Sequence, residues 1–246
     1  MKRDKLAILH LLHKYGYDQI ASFAVYDITD EQVEQYMQAK TSYLKRKILT
    51  KDAIEFPKRY QNDELLADII NTDVMMLGLN AAERNIVPKP WTSFHDHSPH
   101  SKDRHIVFDL CHTKFKNGYM TDILKRLPVT DSNKINVDVI IKYMKMTEQE
   151  ANDTIDNADE KTAQLIRTAR RSVKEFQFEL DLMQPKVILQ YHSKVVALLD
   201  LMQQNNLITL PKGCQLITQT HYSHPLYKNE QRVIDLVDES HQIFGE

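Results

Sequence analysis

Two cysteines and five glycines in 246 residues remove several functional classes before any motif is read. With only Cys111 and Cys214, the chain has no disulfide framework and no iron–sulfur cluster held by four thiolates. The glycines form neither Gly-x-Gly-x-x-Gly nor Gly-x-x-x-x-Gly-Lys, so the dinucleotide fingerprint and the P-loop are both absent and no nucleotide cofactor is expected. Long apolar runs are missing too, and no stretch is long enough to span a bilayer, so no membrane partner is expected. The early run Leu6-Ala-Ile-Leu-His-Leu-Leu is too short, and too interrupted by His10 and His13, for a signal peptide. A reducing, cytoplasmic setting is expected. Neither sign of charge dominates: 32 Lys and Arg stand against 34 Asp and Glu, a net charge of −2. Attraction of the whole protein to nucleic acid is not indicated, which leaves only a local basic groove.

What is present suffices for a full core, with 42% hydrophobic and 27% charged residues. The chain reads as a single domain, 1–246, with an N-terminal helical part over 1–70 and an α/β core over 71–246. Asp30 is a plausible N-cap for a helix from Glu31 to about Lys47, with Val33, Tyr36 and Met37 facing inward. Four short apolar runs read as strands: Asp73 to Leu79, His105 to Cys111, Lys186 to Gln190 and Gln215 to Thr220. Tyr119 to Leu127 reads as a helix stopped by Pro128, and Val137 to Met146 as another. From Asp159 to Met183, residues Leu165, Ala169, Val173, Phe176, Leu180 and Met183 recur every three or four positions, an amphipathic helix ended by Pro185. Arg167, Arg170, Arg171 and Lys174 flank that stripe as a solvated face. Asn229 to Phe244 reads as a closing helix. The expected class is α/β, a three-layer α/β/α sandwich around a short central parallel sheet of about four strands, with N-terminal helices added.

Each expected strand ends in polar residues: Asn80, His112, Tyr191-His192 and His221. In a parallel sheet these ends share one edge, the usual place for a ligand. The first strand, Val74-Met-Met-Leu, runs into Gly78, Leu79 and Asn80, and Glu83, Arg84 and Asn85 follow closely. The long stretch from Glu83 to Arg104 carries the only tryptophan, Trp91, beside Phe94, as an ordered loop would.

This order of elements resembles the uracil-DNA glycosylase superfamily. Gly78-Leu79-Asn80-Ala81 stands where that family has Gly-x-Asp-Pro or Gly-x-Asn-Pro, and His221-Tyr222-Ser223-His224-Pro225 stands where it has a His-Pro-Ser-Pro-like motif. Pro185-Lys-Val-Ile-Leu-Gln-Tyr-His-Ser-Lys looks like the family's penultimate strand and its approaches. The likeness covers roughly residues 70 to 240. It implies N-glycosidic cleavage of uracil or another damaged or mismatched base in DNA, without metal or cofactor. An extruded nucleotide would be attacked by water that Asn80 positions, while His221 donates to the charge developing on the departing base. Glu83 is the nearby carboxylate, since an asparagine amide orients water but takes no proton at neutral pH. Gly78, Leu79, Phe94, Asp109, His112, Tyr222 and Ser223 would line the base site, Phe94 by stacking and Asp109 or His112 by reading the base edge. The chain departs from the family pattern at Ala81 and Ala82, which alter the loop that approaches the sugar, and at Tyr222 and His224 in the last motif.

Two other readings stand beside this one. A non-catalytic relative would bind nucleic acid or a nucleobase and leave it intact. A metal-dependent hydrolase would use His95, His97, His100, His105 and His112, with Asp96 as an oxygen ligand.

Overall fold

Buried polar residues, more than apolar ones, decide where this chain departs from its sequence pattern. In the computed structural model, residues 4–80, 89–97, 101, 103–111, 113–127, 134–219 and 229–245 are described. In chain order the elements are α1 (Lys5–Lys14), β1 (Ser22–Phe23), α2 (Asp30–Gln38), α3 (Ser42–Ile48), α4 (Lys51–Ile54), α5 (Asp63–Ile69) and β2 (Asn71–Asn80). They continue with α6 (Arg104–Cys111), β3 (Gly118–Leu124), α7 (Val137–Lys145), α8 (Glu148–Asp156) and α9 (Glu160–Met183). The last are β4 (Val187–Tyr191), α10 (Ser193–Gln204), β5 (Gln215–Gln219) and α11 (Asn229–Phe244). The strands form one mostly parallel sheet in the order β1-β3-β2-β4-β5, with helices around it. The class is α/β, as the pattern implies. Ser22 and Phe23 of β1 pair antiparallel with Met120 and Tyr119, and β4 runs parallel to β5 from Val187↔Gln215 to Tyr191↔Gln219. Among the described residues no helix is long and apolar enough to cross a membrane.

Two compact units are present. The first comprises Met1–Val74, Pro88–Met120 and Thr220–Glu246; the second comprises Met75–Val87 and Thr121–Gln219. In the first unit, Val107 of α6 joins Val33 and Tyr36 of α2, Leu49, Ala53 and Ile54, and Val233 of α11 in one apolar cluster. Thr29 caps α2 in a reciprocal box with Gln32, so the helix begins at Asp30 and ends at Gln38 rather than running to Lys47; Thr41 caps a separate α3. His13 of α1 bonds Asp63 of α5 through Nε2 at 2.9 Å and faces Asp18 through Nδ1 at 3.2 Å.

Two elements differ from the sequence reading. Residues His105 to Cys111 lie in a helix, not a strand. An apolar run this short fits either form, and burial of Ile106, Val107 and Leu110 places them on one helical face. Residues Gly118 to Leu124 form a strand where a helix was expected, and every one of them is buried. Thr121, Asp122 and Lys125 break the apolar pattern of this segment and make it look amphipathic, yet all three are buried.

In the second unit that burial has a partner. Glu179 of α9 is fully buried, and its Oε2 lies 2.6 Å from Lys125 Nζ. Lys125 also donates to Thr121 Oγ1 at 2.7 Å and to the Asp122 carbonyl at 2.6 Å, which uses all three of its protons. Thr121 in turn donates to Glu179 Oε1 at 2.8 Å, and Ser172 Oγ accepts the Lys125 backbone N–H at 3.1 Å. The buried face of α9 accordingly includes Thr168, Ser172 and Glu179 besides Ala169, Phe176, Leu180 and Met183. Its basic residues behave as a solvated face: Arg167 pairs with Glu160, Arg170 with Glu148 and Arg171 with Glu175.

Breaking one side of such a pair strands a charge in the core, at about 3–5 kcal/mol. Lys125→Met is expected to lose that much in urea unfolding, and Lys125→Met with Glu179→Leu to regain most of it. A single variant within about 0.5 kcal/mol of the parent, as for ordinary surface changes, would show that the pair does not organise the unit.

Candidate functional site

Strand β4 is apolar except at one position: Val187, Ile188 and Leu189 are fully buried, and then Gln190 follows at 2% exposure. Tyr191 ends the strand and His192 leaves it. In the sheet order, the chain passes from β2 to β3 on one side and returns to β4 and β5 on the other, so its course reverses at β2. The ends of the strands on either side of such a reversal are where open α/β sheets bind ligands. In the second unit those ends bring in Gly78, Leu79 and Asn80 from β2, Gln190, Tyr191 and His192 from β4, and Thr218 and Gln219 from β5. Leu79 is buried; Gly78 and Asn80 are half-buried.

His192 is held in an unusual way. Its φ of 129° and ψ of 140° lie in a region that side-chain-bearing residues seldom occupy. Its Nδ1 accepts the Lys194 backbone N–H at 3.0 Å, capping α10. A neutral ring with Nδ1 as acceptor carries its proton on Nε2, so His192 presents a donor. Burial, and secondarily the Lys194 charge, pull its pKa below the ordinary 6.5, which keeps the ring neutral at physiological pH. Lys194 itself reaches back to the Ile135 carbonyl at 2.7 Å.

Gln190 is held by one side only. Its Oε1 accepts from Thr218 Oγ1 at 3.5 Å, across the register pair Gln190↔Thr218. Its Nε2 is buried and meets no acceptor among the described residues.

Of the other residues expected at the site, only Phe94 has a described side chain. Phe94 belongs to the first unit, half-buried with φ 64°, and its carbonyl accepts the Tyr26 hydroxyl at 3.4 Å. In the described part of that stretch Trp91 is fully buried and its backbone N–H donates to the Asp18 carbonyl at 2.7 Å. Asp109 sits on α6 rather than at a strand end, and its side chain lies outside the described residues. Glu83, His112, His221, Tyr222 and Ser223 also lie outside them. Only Gly78, Leu79 and Asn80 of the expected set are thus placed together. Gln190 was missed, although a lone glutamine in an otherwise apolar strand was the signal for it.

Two members of the histidine cluster, His95 and His97, have structural partners. His95 is buried, with Nδ1 2.9 Å from the Ile54 carbonyl and Nε2 3.0 Å from that of Phe23. Both ring nitrogens face backbone carbonyls, so neither is turned toward a metal. His97 pairs with Glu55 at 3.1 Å. Among the described residues no group of His, Cys, Asp and Glu is arranged to hold a metal ion. Cys214 lies in the turn before β5 rather than within a strand, and burial pushes its thiol up to about 11, which leaves it unreactive at neutral pH.

Set against family models, curated proteins and solved structures, the chain matches none of them.

Strain at His192 makes glycine the better residue there for stability alone. His192→Gly is expected to stabilise the protein by about 1 kcal/mol at pH 7, strain relief of roughly 1–3 kcal/mol exceeding the few tenths lost when glycine replaces a cap. The lowered pKa adds a second signature. Below about 6.5 the unfolded chain takes up a proton that the folded one refuses, so stability falls on acidification through that window, and the variant should show a shallower fall. Loss of stability at pH 7, with an unchanged acid slope, would overturn both readings.

Proposed function

We propose that this protein is a DNA glycosylase-like enzyme that takes an extruded base at the carboxyl ends of β2, β4 and β5. One observation carries the reading: the sheet order reverses at β2, and the last residue of β2 is Asn80, where the first motif of the uracil-DNA glycosylase superfamily would end. Extrusion is needed because the glycosidic carbon is out of reach inside a stacked duplex. Asn80 then orients water toward the sugar, and a preorganised donor stabilises charge that appears on the base only as the bond breaks. His221 fills that role by the last-motif likeness, with uracil or another damaged or mismatched base as leaving group.

A second reading is favoured by the chemistry of the same strand ends. Among the described residues there, β2, β4 and β5 supply amides, a phenol, a hydroxyl and a neutral imidazole, and no carboxylate. That set forms hydrogen bonds to a base without providing a general base. It suits a relative that binds a nucleobase and leaves the glycosidic bond intact.

Single-turnover cleavage in EDTA separates the two. Labelled oligonucleotides carrying uracil, a mismatched thymine, hypoxanthine or ordinary bases are incubated with the parent, Asn80→Ala and His221→Ala. Abasic product from the parent, falling at least 100-fold in each variant, is the expected result; general acid–base and oxyanion contributions are roughly of this size. Binding without any abasic product, weakening as salt rises, would establish the non-catalytic relative instead.

A further inference from the structure

We propose that Gln190 reads the edge of the bound base, and that it takes an acceptor such as a ring carbonyl oxygen. This deepens the base-site reading of the strand ends and rests on it. The case begins with cost. A buried amide that leaves one polar half unmet loses the hydrogen bonds that half made in water, and most buried polar groups avoid this. Gln190 does not avoid it: Thr218 meets one half of its amide, and the other meets no partner among the described residues. With Thr218 Oγ1 donating to Oε1, the half left open is the NH₂ donor. Leucine or methionine would fill a buried strand position with no such cost.

Position supplies the purpose. Gln190 is the penultimate residue of β4, the strand next to β2 at the reversal, and β2 ends in Asn80. The contrast with Lys125 in the same unit is informative, because there every proton of a buried ammonium group has an acceptor. The unit can therefore satisfy a buried polar group completely, and at the ligand-binding edge it leaves half of one open. A planar heterocycle with a carbonyl beside a ring N–H is the complement to an amide whose NH₂ is unspent, since amides read base edges by such pairing. Uracil and hypoxanthine present that edge; cytosine and adenine present an amino group in its place.

The test uses the full chain and its Gln190→Leu and Gln190→Glu variants. Urea unfolding gives their stability, and titration with free uracil, hypoxanthine, cytosine and adenine gives base affinity, followed on the Gln190 side-chain amide resonance in the parent. The parent is expected to bind a carbonyl-bearing base and shift that resonance. Gln190→Leu should be at least as stable as the parent and bind the base at least tenfold more weakly. Gln190→Glu, which exchanges a donor for an acceptor, should move preference toward an amino-bearing base. A less stable Gln190→Leu would show the amide to be satisfied already and would overturn the proposal. So would unchanged base affinity in that variant, or no binding of any base by the parent. The two claims fail separately: base binding through Gln190 without oligonucleotide cleavage removes the catalytic reading only, and cleavage unaffected by Gln190→Leu removes Gln190 only.

Discussion

The ion pair between Lys125 and Glu179 is the constraint on which the second unit depends. It sits at the end of β3, with neither partner more than 2% exposed, and ties that strand to the longest helix, α9. A buried charge is tolerable only when its hydrogen-bonding capacity is filled. Thr121, Asp122 and Glu179 do so for Lys125, and Thr121 closes the ring by donating to Glu179. Such a network has one geometry in which it works, so it fixes the register of β3 against α9 more tightly than apolar contact would. The neighbouring strands then have a defined template.

The same principle, applied in reverse, singles out the strand-end residues. Lys125, buried in the second unit away from these strand ends, has an acceptor for each of its three protons. Among the described residues Gln190 is open on one side, and His192 is held at a φ of 129°. An unmet amide and a strained backbone both lower stability, and they occur two residues apart at one edge of the sheet. Residues of this kind persist where the surrounding structure has another use for them. Cost and position together are the grounds on which we propose this edge as the functional one.

The sequence made most of this legible where periodicity and length agree. The helix at 160–183, the strands at 71–80, 187–191 and 215–219 and the helices at 137–145 and 229–244 all stand within a few residues of their pattern. It misled where burial of polar groups cuts across the pattern. Thr121, Asp122 and Lys125 gave β3 a helical look, because nothing local announces that Glu179, more than fifty residues on, will receive them. Ile106, Val107 and Leu110 read as strand because a short apolar run carries no period of its own. At the site, the polar residues of β2 were visible at once, whereas Gln190 was taken as ordinary strand. Its significance lies in an amide NH₂ that meets no acceptor among the described residues, which only the folded chain reveals.

Photo-crosslinking tests the central claim, that a base occupies the strand ends of the second unit. A short single-stranded oligonucleotide with 5-iodouracil as its only modified base is irradiated with the full-length protein, and the attached peptide is mapped by mass spectrometry. Attachment within 78–80 or 190–194, with Tyr191 the natural acceptor, is the result this account requires. Attachment confined to the helices of the first unit, or to the groove of about 640 Å³ lined by Asp138, Lys142, Lys145 and Glu150, would contradict it.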